Sequence, residues 1–105
     1  MSEDRQRLFD LGFRGAGQWS LVVGRPAFRV VEGASARKIL YAFIATSTVK
    51  YIGESVQSLE QRMAGYANPG PTQRTNIRVQ ARISELLNAG HSLDVLVFVP
   101  ATRSG

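Results

Sequence analysis

Two tyrosines and one arginine are spaced so that two phenols and a guanidinium would meet. Tyr41 and Tyr51 lie ten residues apart in two short apolar runs, and Arg62 follows eleven residues later. If the runs pair as neighbouring strands, the two phenols lie diagonally across the hairpin and within reach of each other. Gly53, which has no side chain, would leave room for a backbone or a phosphate to approach. A cation favours the phenolate, which can deprotonate water, and a guanidinium stabilises charge growing on phosphate oxygens. The pattern therefore predicts a site for phosphodiester hydrolysis.

Taken singly, each tyrosine has a simpler explanation. Aromatic residues are favoured in strands, where most tyrosines are half-buried packing residues. Only the arrangement with Arg62 favours catalysis, with Tyr41 or Tyr51 as the general base and Arg62 as a phosphate clamp.

A second pattern is a row of arginines on a helix predicted from about Gln73 to Ala89. At four-residue spacing they share one helix face, and we call them the arginine ridge: Arg74, Arg78 and Arg82. No acidic residue occurs from Arg62 to Arg82, although like charges at this spacing repel. The ridge predicts contacts to a nucleic-acid backbone. The alternative is a solvated face partly neutralised by Glu85.

Two further polar residues are candidate nucleic-acid contacts. Lys50 precedes Tyr51 and should point to the opposite face of its strand, where it is either solvated or bound to phosphate. Asn76 either contacts backbone phosphate near the start of the helix or caps it. His91 follows the helix-ending Gly90 and is predicted to be an ordinary turn residue.

The composition limits the sites that the chain can form. Its 105 residues suffice for one domain, and the lack of cysteine and the single histidine exclude disulfides, thiolate metal sites and all-histidine clusters. A metal would need oxygen ligands, which points to Mg²⁺ or Mn²⁺. The net charge of +5 favours nucleic acid as partner, or serves solubility alone. No signal peptide or membrane span is predicted, so we expect a cytoplasmic protein.

Helices and strands are predicted from caps, breakers and β-rich runs, among them the capping-box sequence Ser58-Leu59-Glu60-Gln61. An apolar stripe on the last predicted helix, formed by Val79, Ile83, Leu86 and Leu87, is expected to face the core. The predicted helices are Ser2 to Leu11, Ser58 to Tyr66 and Gln73 to Ala89. The predicted strands are Trp19 to Val23, Ala27 to Val31, Ile39 to Thr46, Val49 to Gly53 and Leu93 to Val99. The glycine-rich stretch Gly12 to Gly17 is interpreted as a loop, since it matches neither phosphate-loop pattern.

This order predicts an α+β domain in residues 38–105, with a small three-stranded, mainly antiparallel sheet flanked by helices. Residues 1–37 would form an N-terminal extension, a helix plus a hairpin. The extension would cover a sheet edge or mediate formation of a homodimer.

Several segments together resemble the GIY-YIG nuclease superfamily, in particular a bacterial subgroup. The resemblance rests on Ile39-Leu40-Tyr41, the complete Tyr51-Ile52-Gly53, Arg62 nine residues later, Tyr66, and the phrase from Asn68 to Arg78. Only the tyrosine of the first motif is kept. The resemblance covers roughly 60 residues. It implies a metal-dependent DNA endonuclease, with Tyr66 as a supporting phenol beside the general base and the clamp.

The same resemblance implies a metal-binding glutamate on a helix after the third strand. That strand is predicted to end near Val99, and no carboxylate follows it. Either the chain is truncated, or Glu85 substitutes, or the domain binds DNA without cutting it. Glu85 lies on the same arc as Arg78 and Arg82, so an ion pair is its simpler role. The alternatives to an endonuclease are therefore a non-catalytic DNA-binding module and a domain whose arginines meet an acidic protein.

Overall fold

The computed structural model describes residues 3–30 and 37–100, which form three helices and five strands. The helices are α1 (Glu3–Leu11), α2 (Leu59–Ala67) and α3 (Arg74–Asn88). The strands are β1 (Arg14–Val22), β2 (Arg25–Val30), β3 (Ile39–Ala45), β4 (Thr48–Ser55) and β5 (Leu93–Phe98). The predicted elements are all present, but Ser2 and Val31, which were assigned to a helix and a strand, lie outside the described residues.

The strands form one antiparallel sheet in the order β2-β1-β5-β3-β4. The predicted three-stranded sheet is therefore wrong, because the N-terminal hairpin of β1 and β2 extends the same sheet. Strand β1 pairs with β5 from Arg14↔Val97 to Trp19↔Leu93. The hairpin thus covers the β5 edge, one of the two roles predicted for the N-terminal segment.

The glycine-rich stretch before the hairpin is part of β1 and not the predicted loop. The register against β5 shifts between Gly15 and Gly17, so Ala16 is an extra residue in a β-bulge. Ala16 is fully buried. Gly17 lies so close to β2 that a Cβ atom would stand 2.2 Å from the Arg29 carbonyl oxygen. Gly17 therefore serves the close packing of β1 against β2.

Helices cover both faces of the sheet. On one face, α2 and α3 bury Met63, Val79 and Ile83 against Tyr41 and Phe43. On the other face, α1 packs through Leu8 against Ala42, Ile44 and Leu96. Every residue of β3 except Leu40 is buried, as expected for a strand covered on both faces.

Local sequence accounts for the positions of α2 and α3. Helix α2 begins after Ser58, whose hydroxyl accepts from the Gln61 amide, while the Gln61 side chain accepts from the Ser58 amide. This is the predicted capping box. The predicted apolar stripe of α3 is also confirmed, with Val79, Ile83 and Leu86 buried. Within the described residues, no helix is both long and apolar enough to cross a membrane.

Replacing Gly17 by alanine tests the close packing of the two hairpin strands. We expect Gly17→Ala to lower the free energy of unfolding by about 2 kcal/mol or more, because the added methyl group meets backbone. Gly15→Ala, in the same strand, is the control, since nothing lies within 4 Å of its added Cβ. Urea unfolding measures both, and equal stabilities for the two variants would contradict the packing.

Candidate functional site

The pairing of β3 with β4 brings the two predicted tyrosines together. Tyr41 pairs with Gly53 and Phe43 pairs with Tyr51, so the two phenols lie diagonally across the hairpin. Their ring centroids are 6.2 Å apart. The ring of Phe43 packs against both, at 5.8 Å from Tyr41 and 5.5 Å from Tyr51.

A third phenol, from α2, joins the two hydroxyls. The Tyr66 hydroxyl lies 2.5 Å from that of Tyr41 and 3.3 Å from that of Tyr51. The three hydroxyls therefore form one hydrogen-bonded row with Tyr66 at its centre, which we call the phenol row. Tyr66 is fully buried and Tyr41 is 1% exposed, whereas Tyr51 is only half-buried. Solvent reaches the row from the Tyr51 end.

Gly53 is required for this arrangement. A Cβ atom at position 53 would lie 2.6 Å from the Tyr41 hydroxyl oxygen, closer than real Cβ atoms approach other groups. The sequence suggested that Gly53 leaves room for a backbone or a phosphate. The Tyr41 phenol takes that room instead.

Arg62 lies on the first turns of α2, above the phenol row. Its guanidinium carbon is 4.1 Å from the centre of the Tyr66 ring, a cation–π contact. Its Nη2 donates to the Asn76 side-chain oxygen at 3.0 Å. Asn76 in turn donates to the Gln73 side chain at 3.1 Å. Since the cap position of α3 is Gln73, Asn76 does not cap the helix; it fixes Arg62 and ties α2 to α3.

The buried phenols are held in their neutral form. Burial raises the pKa of Tyr41, and the hydrogen bond with Tyr66 and the charge of Arg62 offset only part of this effect. Burial also raises the pKa of Tyr66, which its hydrogen bonds to Tyr41 and Tyr51 raise further. The expectation that the arginine favours a phenolate therefore fails at these two positions, because desolvation outweighs the cation.

Lys50 does not point away from Tyr51 as predicted. Phe43 pairs with Tyr51 and Ile44 pairs with Val49, so Lys50 has no partner on β3 and forms a β-bulge. The bulge interrupts the order in which successive side chains of the strand point to opposite faces of the sheet. Lys50 lines the same groove as Tyr51, and Arg78 and Arg82 of the arginine ridge line it too.

The remaining charged candidates are more ordinary. Arg82 forms the predicted ion pair with Glu85. His91 contacts the Thr46 hydroxyl at 3.2 Å, and neither residue lines the groove beside Tyr51. Within residues 3–30 and 37–100, no three carboxylate or histidine side chains cluster in a way that could hold a metal ion.

The sequence did not identify Phe43 as a site residue, and it did not predict that Asn76 contacts Arg62. Phe43 packs against all three tyrosine rings, and Asn76 holds Arg62. Phe43 lies two residues after Tyr41 on the same strand face, so strand alternation was the available signal for it. No signal identified the contact between Asn76 and Arg62, which depends on how two helices pack.

Comparison with known proteins yields a shared fold. No protein-family profile and no curated protein sequence matches the chain. The restriction endonuclease HPY188I, solved in complex with product DNA, aligns with 100% of the chain at a TM-score of 0.73 and 12% identity. A mutant of bacteriophage T4 EndoII aligns with 89% of the chain at a TM-score of 0.71 and 18% identity. The chain spans 65% of the restriction enzyme and 70% of EndoII.

These findings correct the assignment to the GIY-YIG superfamily. That assignment predicted a small three-stranded domain, whereas the chain has a five-stranded antiparallel sheet and matches no family profile. What the chain shares is the fold of the restriction endonuclease and of EndoII.

The raised pKa values predict how stability depends on pH. Above the ordinary tyrosine pKa of 10.0, the unfolded chain loses phenol protons that the folded chain keeps on Tyr41 and Tyr66. The stabilisation is thus complete below pH 10 and is lost as pH rises beyond it, by about 1.4 kcal/mol per pH unit for each phenol. Urea unfolding between pH 8 and 11 measures the slope. The double variant Tyr41→Phe, Tyr66→Phe should lack this slope. If its free energy of unfolding fell equally steeply with pH, the pH dependence would not come from Tyr41 and Tyr66.

Proposed function

We propose that the chain is an endonuclease domain that hydrolyses phosphodiester bonds in DNA. The observation that carries the proposal is the phenol row, which has Arg62 stacked on its central phenol, Tyr66, and ends at the accessible phenol of Tyr51 next to the arginine ridge. The shared fold with a restriction endonuclease solved with product DNA supports DNA as the substrate.

The geometry favours Tyr51 over Tyr41 as the general base. Tyr41 is enclosed by protein, and its raised pKa keeps it protonated. Tyr66 has one proton and can donate it to Tyr51 while accepting from Tyr41. Tyr51 first gives its own proton to solvent, and its phenolate then accepts a proton from the water that attacks phosphorus. The O–H of Tyr41 points to Tyr66 and the O–H of Tyr66 points to Tyr51, so the row stabilises that phenolate. Tyr41 and Tyr66 are then positioning residues for the base.

Arg62 is suited to bind the phosphate whose bond is cleaved. Its guanidinium has five N–H donors, and the bond to Asn76 uses one direction of the fork. The remaining donors suit phosphate oxygens, on which negative charge grows during hydrolysis. The Asn76 contact and the stacking on Tyr66 hold the side chain before substrate arrives, which lowers the entropic cost of binding.

The basic residues extend from this site along one surface. Arg74, Arg78 and Lys50 are exposed, and none of them has an ion-pair partner within residues 3–30 and 37–100. Arg78 and Lys50 line the groove that also contains Tyr51. A strand bound along α3 would place its phosphates on these cations and lead toward the phenol row.

A divalent metal, Mg²⁺ or Mn²⁺, would supply a Lewis acid for the leaving oxygen. The described residues do not fit such an ion, since they contain no cluster of three suitable ligands and Glu85 is engaged by Arg82. The roles of the phenols and of Arg62 are therefore derived without it.

A non-catalytic DNA-binding module is the second candidate. The observation that favours it is the burial of Tyr41 and Tyr66, which leaves one phenol for chemistry. The arginine ridge would serve such a module equally well.

Cleavage of a supercoiled plasmid with Mg²⁺ or Mn²⁺ distinguishes the two candidates. We expect Tyr51→Phe to slow cleavage by about 10²- to 10⁴-fold, the usual range for loss of a general base. Arg62→Ala should slow it by about 10²- to 10³-fold. Arg29→Ala is the matched control and should cleave normally, because Arg29 is exposed on β2, at the opposite end of the sheet from β4. Tight binding without cleavage in either metal would establish the non-catalytic module.

Binding at different salt concentrations tests the arginine ridge. The affinity for a DNA duplex should fall steeply with salt, because bound phosphates release counterions. The slope of log K against log salt is negative. Each of the substitutions Arg74→Gln and Arg78→Gln should reduce its magnitude by about one. Fluorescence anisotropy with a labelled duplex measures the slope, and a wild-type affinity independent of salt would exclude phosphate binding.

A further inference from the structure

A groove beside Tyr51 combines an apolar floor with a basic rim. Its floor is formed by Phe43 of β3 and by the apolar stripe of α3: Val79, Ile83 and Leu86. The Tyr51 ring forms one wall, and Lys50, Arg78 and Arg82 stand around the opening. Helix α3 thus presents its apolar stripe to the floor and its arginines to the rim.

The size of the groove selects a small ligand. Its volume is about 260 Å³, slightly below the range of roughly 300–1,000 Å³ that is typical of pockets for drug-sized molecules. It therefore suits a single ring system. An apolar ligand alone does not explain the rim, where Lys50 and Arg78 have no ion-pair partner within residues 3–30 and 37–100. Two such cations beside an apolar floor favour a ligand that carries negative charge close to its ring.

We propose that this groove receives one unpaired base of a nucleic-acid strand, with the flanking phosphates on Lys50 and Arg78. A nucleotide joins a flat, weakly polar ring to a phosphate, which matches the floor and the rim together. Bases stack on aromatic side chains regardless of their identity, and Tyr51 offers such a ring. The inference rests on the proposed function, because it names the form of nucleic acid that the same site recognises.

The position of Tyr51 links this groove to the phenol row. Its ring is a wall of the groove, and its hydroxyl is the accessible end of the row. A base inserted against that wall would hold its own phosphate near the Tyr51 hydroxyl. The preferred substrate is therefore DNA with an unpaired base, such as a single-base bulge, over fully paired duplex.

Two labelled duplexes test the groove, one with an unpaired adenine and one with an abasic residue at the same place. We expect the wild-type protein to bind the adenine bulge about tenfold more tightly, the size of effect that stacking of one base gives. A bulge that carries 2-aminopurine should change its fluorescence on binding, because the base moves from the stack of the duplex to the ring of Tyr51.

Variants of α3 identify where the base goes. Val79→Phe fills the groove and should remove the preference for the adenine bulge. Ala81→Phe, which adds a ring on an exposed position of the same helix outside the groove, should retain it. Circular dichroism checks that both variants fold. Tyr51→Phe should keep the preference, since the ring remains, while it loses cleavage.

The outcomes separate this inference from the proposed function. If the protein binds neither duplex, the proposed function fails and the inference with it. If it binds both duplexes equally and the 2-aminopurine signal does not change, only the groove assignment is overturned. Equal loss of preference in Val79→Phe and Ala81→Phe would also overturn it.

Discussion

The Tyr41 phenol lies directly on the backbone of Gly53, and the rest of the site depends on this contact. Any side chain at position 53 would occupy the place of the Tyr41 hydroxyl oxygen. That oxygen is the inner end of the phenol row, so its position determines where Tyr66 and then Tyr51 present their hydroxyls. A glycine on a neighbouring strand thus determines the geometry of a row of three aromatic rings without contributing a functional group.

Burial gives chemically identical side chains different roles. Tyr41 on β3 and Tyr66 on the buried face of α2 are held neutral, because the interior disfavours their charged forms. Tyr51, on the edge strand β4, reaches the surface. Arg62 spans the boundary between these environments: it stacks on a buried ring while Asn76 of α3 fixes its orientation. The site is therefore a product of two helices converging on one side of a hairpin.

Features set by local sequence were predictable, and features set by distant pairing were not. The capping box at Ser58 and the stripe of Val79 and Ile83 predicted α2 and α3 correctly, since both depend on neighbours within a few turns. The proximity of Tyr41 and Tyr51 followed from hairpin geometry. The number of strands in the sheet was not predicted because β1 pairs with β5, which is distant in sequence. The glycines of β1 also favoured a loop over a strand at its start.

The same distinction applies within the site. Lys50 was assigned to the wrong face because a bulge breaks the two-residue period on which the assignment relied. The role of Gly53 was misread because the group that fills its space comes from the neighbouring strand. Asn76 had two predicted roles, and the observed contact with Arg62 depends on the packing of α2 against α3.

The central position of β5 has a consequence for how the chain reaches its fold. Strands β1 and β2 form one hairpin and β3 and β4 form another, and among the five described strands no pairing joins the two hairpins directly. Both precede β5 in the chain, so each has an unsatisfied edge until β5 inserts between them. Assembly must therefore wait for contacts between residues far apart in sequence, which is the property that slows folding. During synthesis on the ribosome, two separate hairpins would be exposed to association with other chains until this last strand emerges.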